Sequence, residues 1–375
     1  MSSTVRALIV DDDEKERTAL ADLLNGAGAE LTVTAVAPAA DVEGTAAMIK
    51  ERLPDGEPRL LLLDYRLEDN PLSGTEHASF RGGTVAGYIR DVDPDLPIVL
   101  LTSEEKLHEF VERRPGVKDF FDWTLLKSAI SNRAGAAVGH TKIVAFANAW
   151  RRALGWPNDQ DETWERLEEL MHAPPDGIAY FKNLEAEPPR GDVPGDVIHW
   201  LAYRALRLPG PLIGANAVRV TLGLSPKAFR DPKVRTWLED ARYDGALAQA
   251  EERWWAHLVR GKLAAAADGV RPLEASDRVV AIAKAVHRKK LEHEGCSWCG
   301  SPRTLDACMV CGQATDAAHA VRPLTQPLPA WADAFIVCYQ CIAVGRADEQ
   351  RLRFPPQTEE IVSGLREDRI RPPGE

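Results

Sequence analysis

Cysteine is missing from the first 295 residues of this chain, and all six thiols fall between Cys296 and Cys341. A disulfide framework spread through the chain is therefore excluded, and thiols this concentrated, in a reducing compartment, point to metal. No window approaches the ~20 consecutive apolar residues that span a bilayer. The opening "MSSTVRALIV" has no charged segment ahead of a long apolar run, so the expectation is a cytoplasmic protein with no membrane attachment. Positive charge is also in short supply: 46 Lys and Arg stand against 57 Asp and Glu, a formal net charge of -11. That balance argues against a surface coated for non-specific DNA binding, although a local basic face for nucleic acid stays open. No internal repeat recurs at a solenoid period. Within these limits, 375 residues with 45% hydrophobic and 27% charged content suffice for two or three domains, each with its own core.

Residues 1–135 alternate between strand-like and helix-like runs. "VRALIV", "RLLLLDY", "LPIVLLTS" and "VKDFFDWTLLK" read as strands, while "EKERTALADLLNGAG" and "GGTVAGYIRDV" have helical spacing. Such alternation predicts an α/β doubly wound fold with a five-stranded parallel sheet. In that fold, chemistry collects at the carboxyl ends of the strands. Asp11, Asp12 and Asp13 follow the first apolar run, Asp64 follows "LLLL", Thr102 and Ser103 follow "PIVLL", and Lys127 lies just past the last strand. Carboxylates brought together in this way repel one another unless a cation intervenes, and a hard divalent ion such as Mg²⁺ suits them.

The motifs "LIVDDD", "LLLLDYRL", "IVLLTS" and "LLK", in that order, resemble the receiver domain of two-component response regulators (the CheY-like fold). The resemblance implies that Asp64 is the phospho-acceptor. Asp12 and Asp64 would ligate Mg²⁺ directly, Asp11 through water, with the backbone carbonyl of Arg66 completing the protein's share. Thr102 and Lys127 would grasp the phosphoryl oxygens. A histidine kinase or phosphotransfer protein is the implied partner, and a homodimer on phosphorylation the implied assembly. The chain departs from the family pattern in three places: the segment "YRLEDNPLSGTEHASFRGG" after Asp64 is long, Thr124 stands where an aromatic switch residue is common, and "LLKSAI" lacks the usual Pro after the lysine. The long segment is expected to act as a lid or partner surface.

The thiols form three C-x-x-C pairs, "CSWC", "CMVC" and "CYQC". A C-x-x-C knuckle brings two sulfurs to one metal from a tight turn, and Gly after the second Cys frees the backbone, so zinc is the expected ion. Residues 308–345 also resemble the treble-clef zinc module of HNH-type domains: a knuckle, then the His-bearing "DAAHAVRP", then a second pair opening a helix. That resemblance implies zinc at Cys308, Cys311, Cys338 and Cys341, with His319 as general base of a nuclease. Cys296 and Cys299 are then an additional knuckle, or ligands of a second ion with His293 or His319. Ala318 and Ile342 stand where the HNH pattern usually carries functional side chains, which favours a structural or binding role over an active nuclease.

Residues 136–290 read as a helical domain of unknown role, broken at "EAEPPRGDVPGD" and "LPGPLIG". Seven Trp, from Trp150 to Trp255, lie there at amphipathic spacing expected of a core. Residues 291–347 form the zinc module and 348–375 a tail with one short helix. The expected function is a response regulator whose receiver controls a helical, zinc-bearing effector. A gated HNH-like nuclease, in a setting such as anti-phage defence, and a non-phosphorylated docking scaffold are the alternatives.

Overall fold

The computed structural model describes residues 4–56, 58–73, 76–103, 120–156, 159–183, 194–269, 274–303, 305–324, 328–330, 332–350, 352–367 and 369–371. Of the break read at 185–196, residues 185–193 lie outside them, as does the end of the tail, 372–375; its last three residues instead open a helix, Pro194–Trp200. The chain divides into two compact units: Met1–His172 with Pro188–Arg204 and Asp244–Glu251, and Ala173–Glu187 with Ala205–Tyr243 and Glu252–Glu375.

In the first unit, five apolar runs form strands β1 (Val5–Val10), β2 (Leu31–Val36), β3 (Arg59–Asp64), β4 (Ile98–Thr102) and β5 (Trp123–Leu126). They make one parallel sheet in the order β2-β1-β3-β4-β5. This is the expected α/β doubly wound fold. Strands covered on both faces read as continuous Val, Ile and Leu, and Leu8 to Val10 and Leu60 to Leu63 are wholly buried. Helices α1 (Glu14–Asn25), α2 (Val42–Arg52), α3 (Gly82–Val92) and α4 (Arg133–Ala153) supply the cover. Three of them begin at side chains that cap free amides: Asp13 accepts from Glu16, Asp41 from Gly44 and Asn132 from Gly135.

Register sets the functional edge. Val10 lies opposite Leu63, Asp64 opposite Leu101, and Thr102 opposite Leu126. The residues at or just past these ends, Asp11, Asp64, Thr102 and Lys127, therefore meet at the carboxyl edge. Gly82 lets α3 start against this edge, because a Cβ there would sit 2.0 Å from the Asp64 carbonyl oxygen.

In the second unit, β6 (Leu212–Gly214) pairs with β7 (Arg253–Trp255) beside helices α5 (Ala215–Thr221), α6 (Ala256–Ala266) and α7 (Ala275–Ala285). Ile213, Val218, Trp254, Val259 and Ile282 form their common core. The tryptophans read as core are buried at Trp150, Trp156, Trp164, Trp200, Trp254 and Trp255, and Trp237 packs half-buried. Two short hairpins follow, β8 (Leu305–Ala307) with β9 (Ala314–Asp316) and β10 (Ala320–Val321) with β11 (Val337–Cys338). Helices α8 (Tyr339–Ala343) and α9 (Glu359–Arg366) close this part. Val362 and Leu365 of α9 join the core that holds four of the cysteines, Cys296, Cys308, Cys338 and Cys341.

Candidate functional site

At the sheet edge, Asp11, Asp12, Asp64, Thr102 and Lys127 are all buried, at 1%, 7%, 1%, 1% and 6% exposure. Lys127 Nζ lies 2.7 Å from Asp11 Oδ2, 2.9 Å from Asp64 Oδ1 and 2.7 Å from Glu16 Oε2. Burial works against a charged ammonium, but Asp64 and Asp11 outweigh it and hold Lys127 above its usual range. Oxygens of Asp11, Asp12 and Asp64 all lie within 4.8 Å of one another. Burial, opposed by hydrogen bonds from Asn70, raises Asp12 above the usual carboxylate range, with Asp11 and Asp69 adding repulsion. The pocket thus sets four carboxylates against one ammonium. Crowded, buried carboxylate oxygens suit a small hard cation, so Asp11, Asp12 and Asp64 fit Mg²⁺.

Backbone groups complete the pocket. The Arg66 amide donates to Asp64 Oδ2 at 2.8 Å, and Arg17 Nη1 donates to the Asp11 and Asp12 carbonyls at 3.3 Å each. Among the described residues, the buried Thr102 hydroxyl has no hydrogen-bond partner. The long segment after β3 reaches the site through Asn70, whose amide donates to Asp12 Oδ2 at 2.5 Å. Beyond it, Pro71–Ser73 and Glu76–His77 pair as a small hairpin. Glu16 and Asn70 were not expected in the site: neither sits in a recognisable motif, and both arrive by tertiary approach.

The second unit gathers the thiols into two groups. Cys308, Cys311, Cys338 and Cys341 have mutually close sulfurs, and Cys296, Cys299 and His319 form a separate trio. In the first group, Sγ–Sγ distances are 4.0 Å for Cys308 to Cys341 and 3.7 Å for Cys311 to Cys338. A tetrahedral ion with Zn–S bonds of about 2.3 Å needs sulfurs about 3.8 Å apart. The knuckles have the expected turns: Gly300 and Gly312 have φ of +72° and +68°, and their amides donate to the Cys296 and Cys308 carbonyls at 2.8 Å. Hydrogen bonds from Cys311 and Cys338 hold the Cys308 thiol far below its usual range. Its neighbours move the other way, Cys338 through its bonds to Cys308 and Cys311, and Cys341 through burial, to about 12. Four thiolates cannot share this space without a cation, and zinc fits the set.

In the trio, His319 ends the 3₁₀ turn Ala317–His319 just ahead of β10, with Nδ1 3.7 Å from Cys296 Sγ. Burial pushes the Cys296 thiol up, but amides of Asp316, Trp298 and Cys299 and the His319 ring outweigh it and leave it at about 7. Of the two histidines considered beside this knuckle, His319 is brought in and His293 is not among the grouped donors. Arg219 of α5, absent from the sequence reading, donates to the Gly312 carbonyl at 2.7 Å and pairs with Glu294. It ties a helix to the knuckle.

No family model and no curated protein sequence matches the chain. Solved receiver structures resemble its N-terminal part. The receiver domain of NtrX from Brucella abortus is 21% identical, with a TM-score of 0.26, over 37% of this chain and 97% of that one. The chemotaxis response regulator CheY4 of Vibrio cholerae is 18% identical, with a TM-score of 0.27, over 38% and 99%. The response regulator TrrA from Thermotoga maritima, solved with Mg²⁺ and BeF, is 23% identical, with a TM-score of 0.24, over 33% and 86%. No helix among the described residues is long and apolar enough to cross a membrane.

Proposed function

We propose that this chain is a two-component response regulator: its receiver accepts a phosphoryl group on Asp64, with Mg²⁺, from a histidine kinase or phosphotransfer protein, and thereby controls the zinc-bearing second unit. The observation that carries the reading is the buried constellation at one sheet edge, where Lys127 Nζ contacts both Asp11 and Asp64 while the Thr102 hydroxyl stands unpartnered. Phosphoryl transfer is chiefly positioning plus charge neutralisation. An Asp64 oxygen attacks phosphorus, the bond to the donor's leaving group breaks, and an acyl phosphate forms. Mg²⁺, held by Asp11, Asp12 and Asp64, would neutralise charge on the phosphoryl oxygens. Lys127 Nζ lies 2.9 Å from Asp64 Oδ1 and can pair with one of those oxygens.

The added charge of about -1.5 to -2 brings new acceptors into the pocket. Thr102 supplies a donor that has no other bond to give up, so β4 is the element drawn inward. Zinc at Cys308, Cys311, Cys338 and Cys341 holds the hairpins of the effector together in this reading. A nuclease role is not adopted, because His319 Nδ1 lies against the Cys296 thiol, a position that suits ligation better than abstraction of a proton from water.

Incubation with acetyl phosphate and Mg²⁺ should add one phosphoryl group to the intact mass. Asp64→Asn should abolish the addition while the variant keeps its fold by circular dichroism. A wild-type protein that gains no phosphoryl group from acetyl phosphate, nor any beryllofluoride adduct, sinks the proposal.

A further inference from the structure

The four-cysteine group has a full set of donors for one zinc, whereas the trio beside it does not. Cys296, Cys299 and His319 each offer one ligand atom, all within 4.8 Å, and no fourth His, Cys, Asp or Glu joins them among the described residues. The nearby candidates are otherwise engaged. The Asp316 carboxylate accepts from the Ala318 amide at 2.9 Å, and His293 Nδ1 lies 3.4 Å from the Glu294 carbonyl.

The trio is built rather than incidental. The Cys296 amide donates to the Ser301 carbonyl, closing the knuckle, and the Ser297 amide donates to the Ala314 carbonyl, holding it against β9, both at 2.8 Å. The Asp316 amide donates to Cys296 Sγ at 3.3 Å, and the Thr315 hydroxyl donates to the His319 carbonyl at 3.1 Å. These bonds fix the 3₁₀ turn that brings the imidazole to the sulfur. The resulting 3.7 Å between Cys296 Sγ and His319 Nδ1 compares with about 3.6 Å for a sulfur and a nitrogen on one tetrahedral zinc. Exposure differs in degree: one of the four thiols, Cys311, is half-buried, whereas two of the three donors in the trio, Cys299 and His319, are half-buried beside the buried Cys296. Structural zinc sites are closed by four protein ligands, and three protein ligands leave a position for an outside one.

We propose that Cys296, Cys299 and His319 bind a second zinc ion and leave its fourth coordination position to an exchangeable small ligand, water at rest and a thiolate or other soft anion when one is present. The assignment places His319 Nδ1 on the metal, so that this nitrogen takes no part in acid–base chemistry. It does not depend on phosphorylation of Asp64, which is read separately by intact mass.

The test uses the full chain. Elemental analysis after gel filtration should find about two zinc ions per chain in the wild type and about one in His319→Ala and Cys299→Ser. Replacement by Co²⁺ then makes the two sites visible. Azide or 2-mercaptoethanol should shift the ligand-field bands of half the bound cobalt in the wild type, and of none in His319→Ala. One zinc per chain in the wild type overturns the second site, as does a His319→Ala protein that keeps two. Two ions whose cobalt spectra ignore both anions overturn the open position. If both variants fail to fold, the wild-type metal count and the wild-type cobalt titration still decide, since neither needs a substitution.

Discussion

Lys127→Met isolates the charge balance of the acidic pocket. The ammonium lies 2.7 and 2.9 Å from the buried carboxylates of Asp11 and Asp64. At an effective dielectric constant near 20, each contact is worth about 6 kcal/mol before desolvation, and burying the lysine takes back a large part of that. Removing one partner of a buried ion pair typically leaves a net loss of about 3–5 kcal/mol, because the remaining charge is stranded. Glu16 is omitted from this sum because its side chain is 43% exposed and water screens it.

The chain contains two compact units, so a single global unfolding curve would mix their transitions. Hydrogen exchange read by mass spectrometry on peptides covering β1 and β3 avoids that problem. A local loss of about 3 kcal/mol should speed their slowest amides roughly 100-fold. Added Mg²⁺ should then protect the variant more than the wild type, since it enters a pocket whose own cation is gone. Saturation at 100 times the dissociation constant is worth about 2.7 kcal/mol. Unchanged exchange in Lys127→Met without Mg²⁺ would refute the claim that this lysine neutralises the pocket. If Mg²⁺ also left exchange unaltered in both proteins, the carboxylates would not be a cation site.

Thr102→Val should stabilise the unphosphorylated first unit by about 1 kcal/mol, since it removes a buried hydroxyl that has no partner among the described residues; slower exchange in β4 is the check, and faster exchange counts against it. Asp122 should give the first unit a distinctive pH dependence. Burial, opposed by Arg90 and the Ile98 amide, raises its pKa from 3.8 to about 6. A raised carboxyl favours the folded state most below pH 3.8 and loses that contribution as pH climbs through 6, by up to about 3 kcal/mol. Wild-type stability relative to Asp122→Asn should therefore fall between pH 4 and pH 6, and a flat difference contradicts the shift. Cys341→Ser should release about one zinc ion per chain and raise exchange in β11 and α9, as expected where metal binding is coupled to folding; full zinc retention would show that the four-thiol group is not a site.

Much of the receiver was legible in the sequence because its strands are buried on both faces. "LIV", "LLLL" and "IVLL" need no partner information to be read as parallel strands, and each leads directly into a residue of the buried pocket, Asp11, Asp64 or Thr102. Lys127 was legible through its distance past the last strand, and the register of β5 beside β4 sets it beside Asp64. Glu16 and Asn70 were not legible: a glutamate in a first helical turn is ordinary, and Asn70 contributes a backbone amide, which every residue but proline has. The thiol groups were readable as knuckles, but the partition of six sulfurs was only partly so. What separates Cys296 and Cys299 from the other four is the 3₁₀ turn that delivers His319, and its hydrogen bonds to β9 follow no spacing rule. Arg219 was invisible for the same reason, being a helical arginine whose partner, the Gly312 carbonyl, lies 93 residues away.

The two ends of the chain meet the same electrostatic problem, anionic donors held together out of water, and meet it differently. The acidic pocket contains its own cation, since Lys127 lies against two of the three clustered aspartates. A folded first unit without metal is therefore tenable, and the Mg²⁺ proposed there can come and go, as the proposed switch requires. Around the four thiols, the cation that reaches the knuckle is Arg219, and its guanidinium is committed to the Gly312 carbonyl and Glu294. One guanidinium, already paired with Glu294, cannot offset several thiolates. Among the described residues, zinc there has no internal substitute. It follows that a mild chelator should remove Mg²⁺ from the first unit and leave β1 and β3 protected, whereas stripping zinc should open the hairpins β8 to β11. In the proposed function, one metal would then take part in the switching step, and the other would maintain the unit proposed to be under its control.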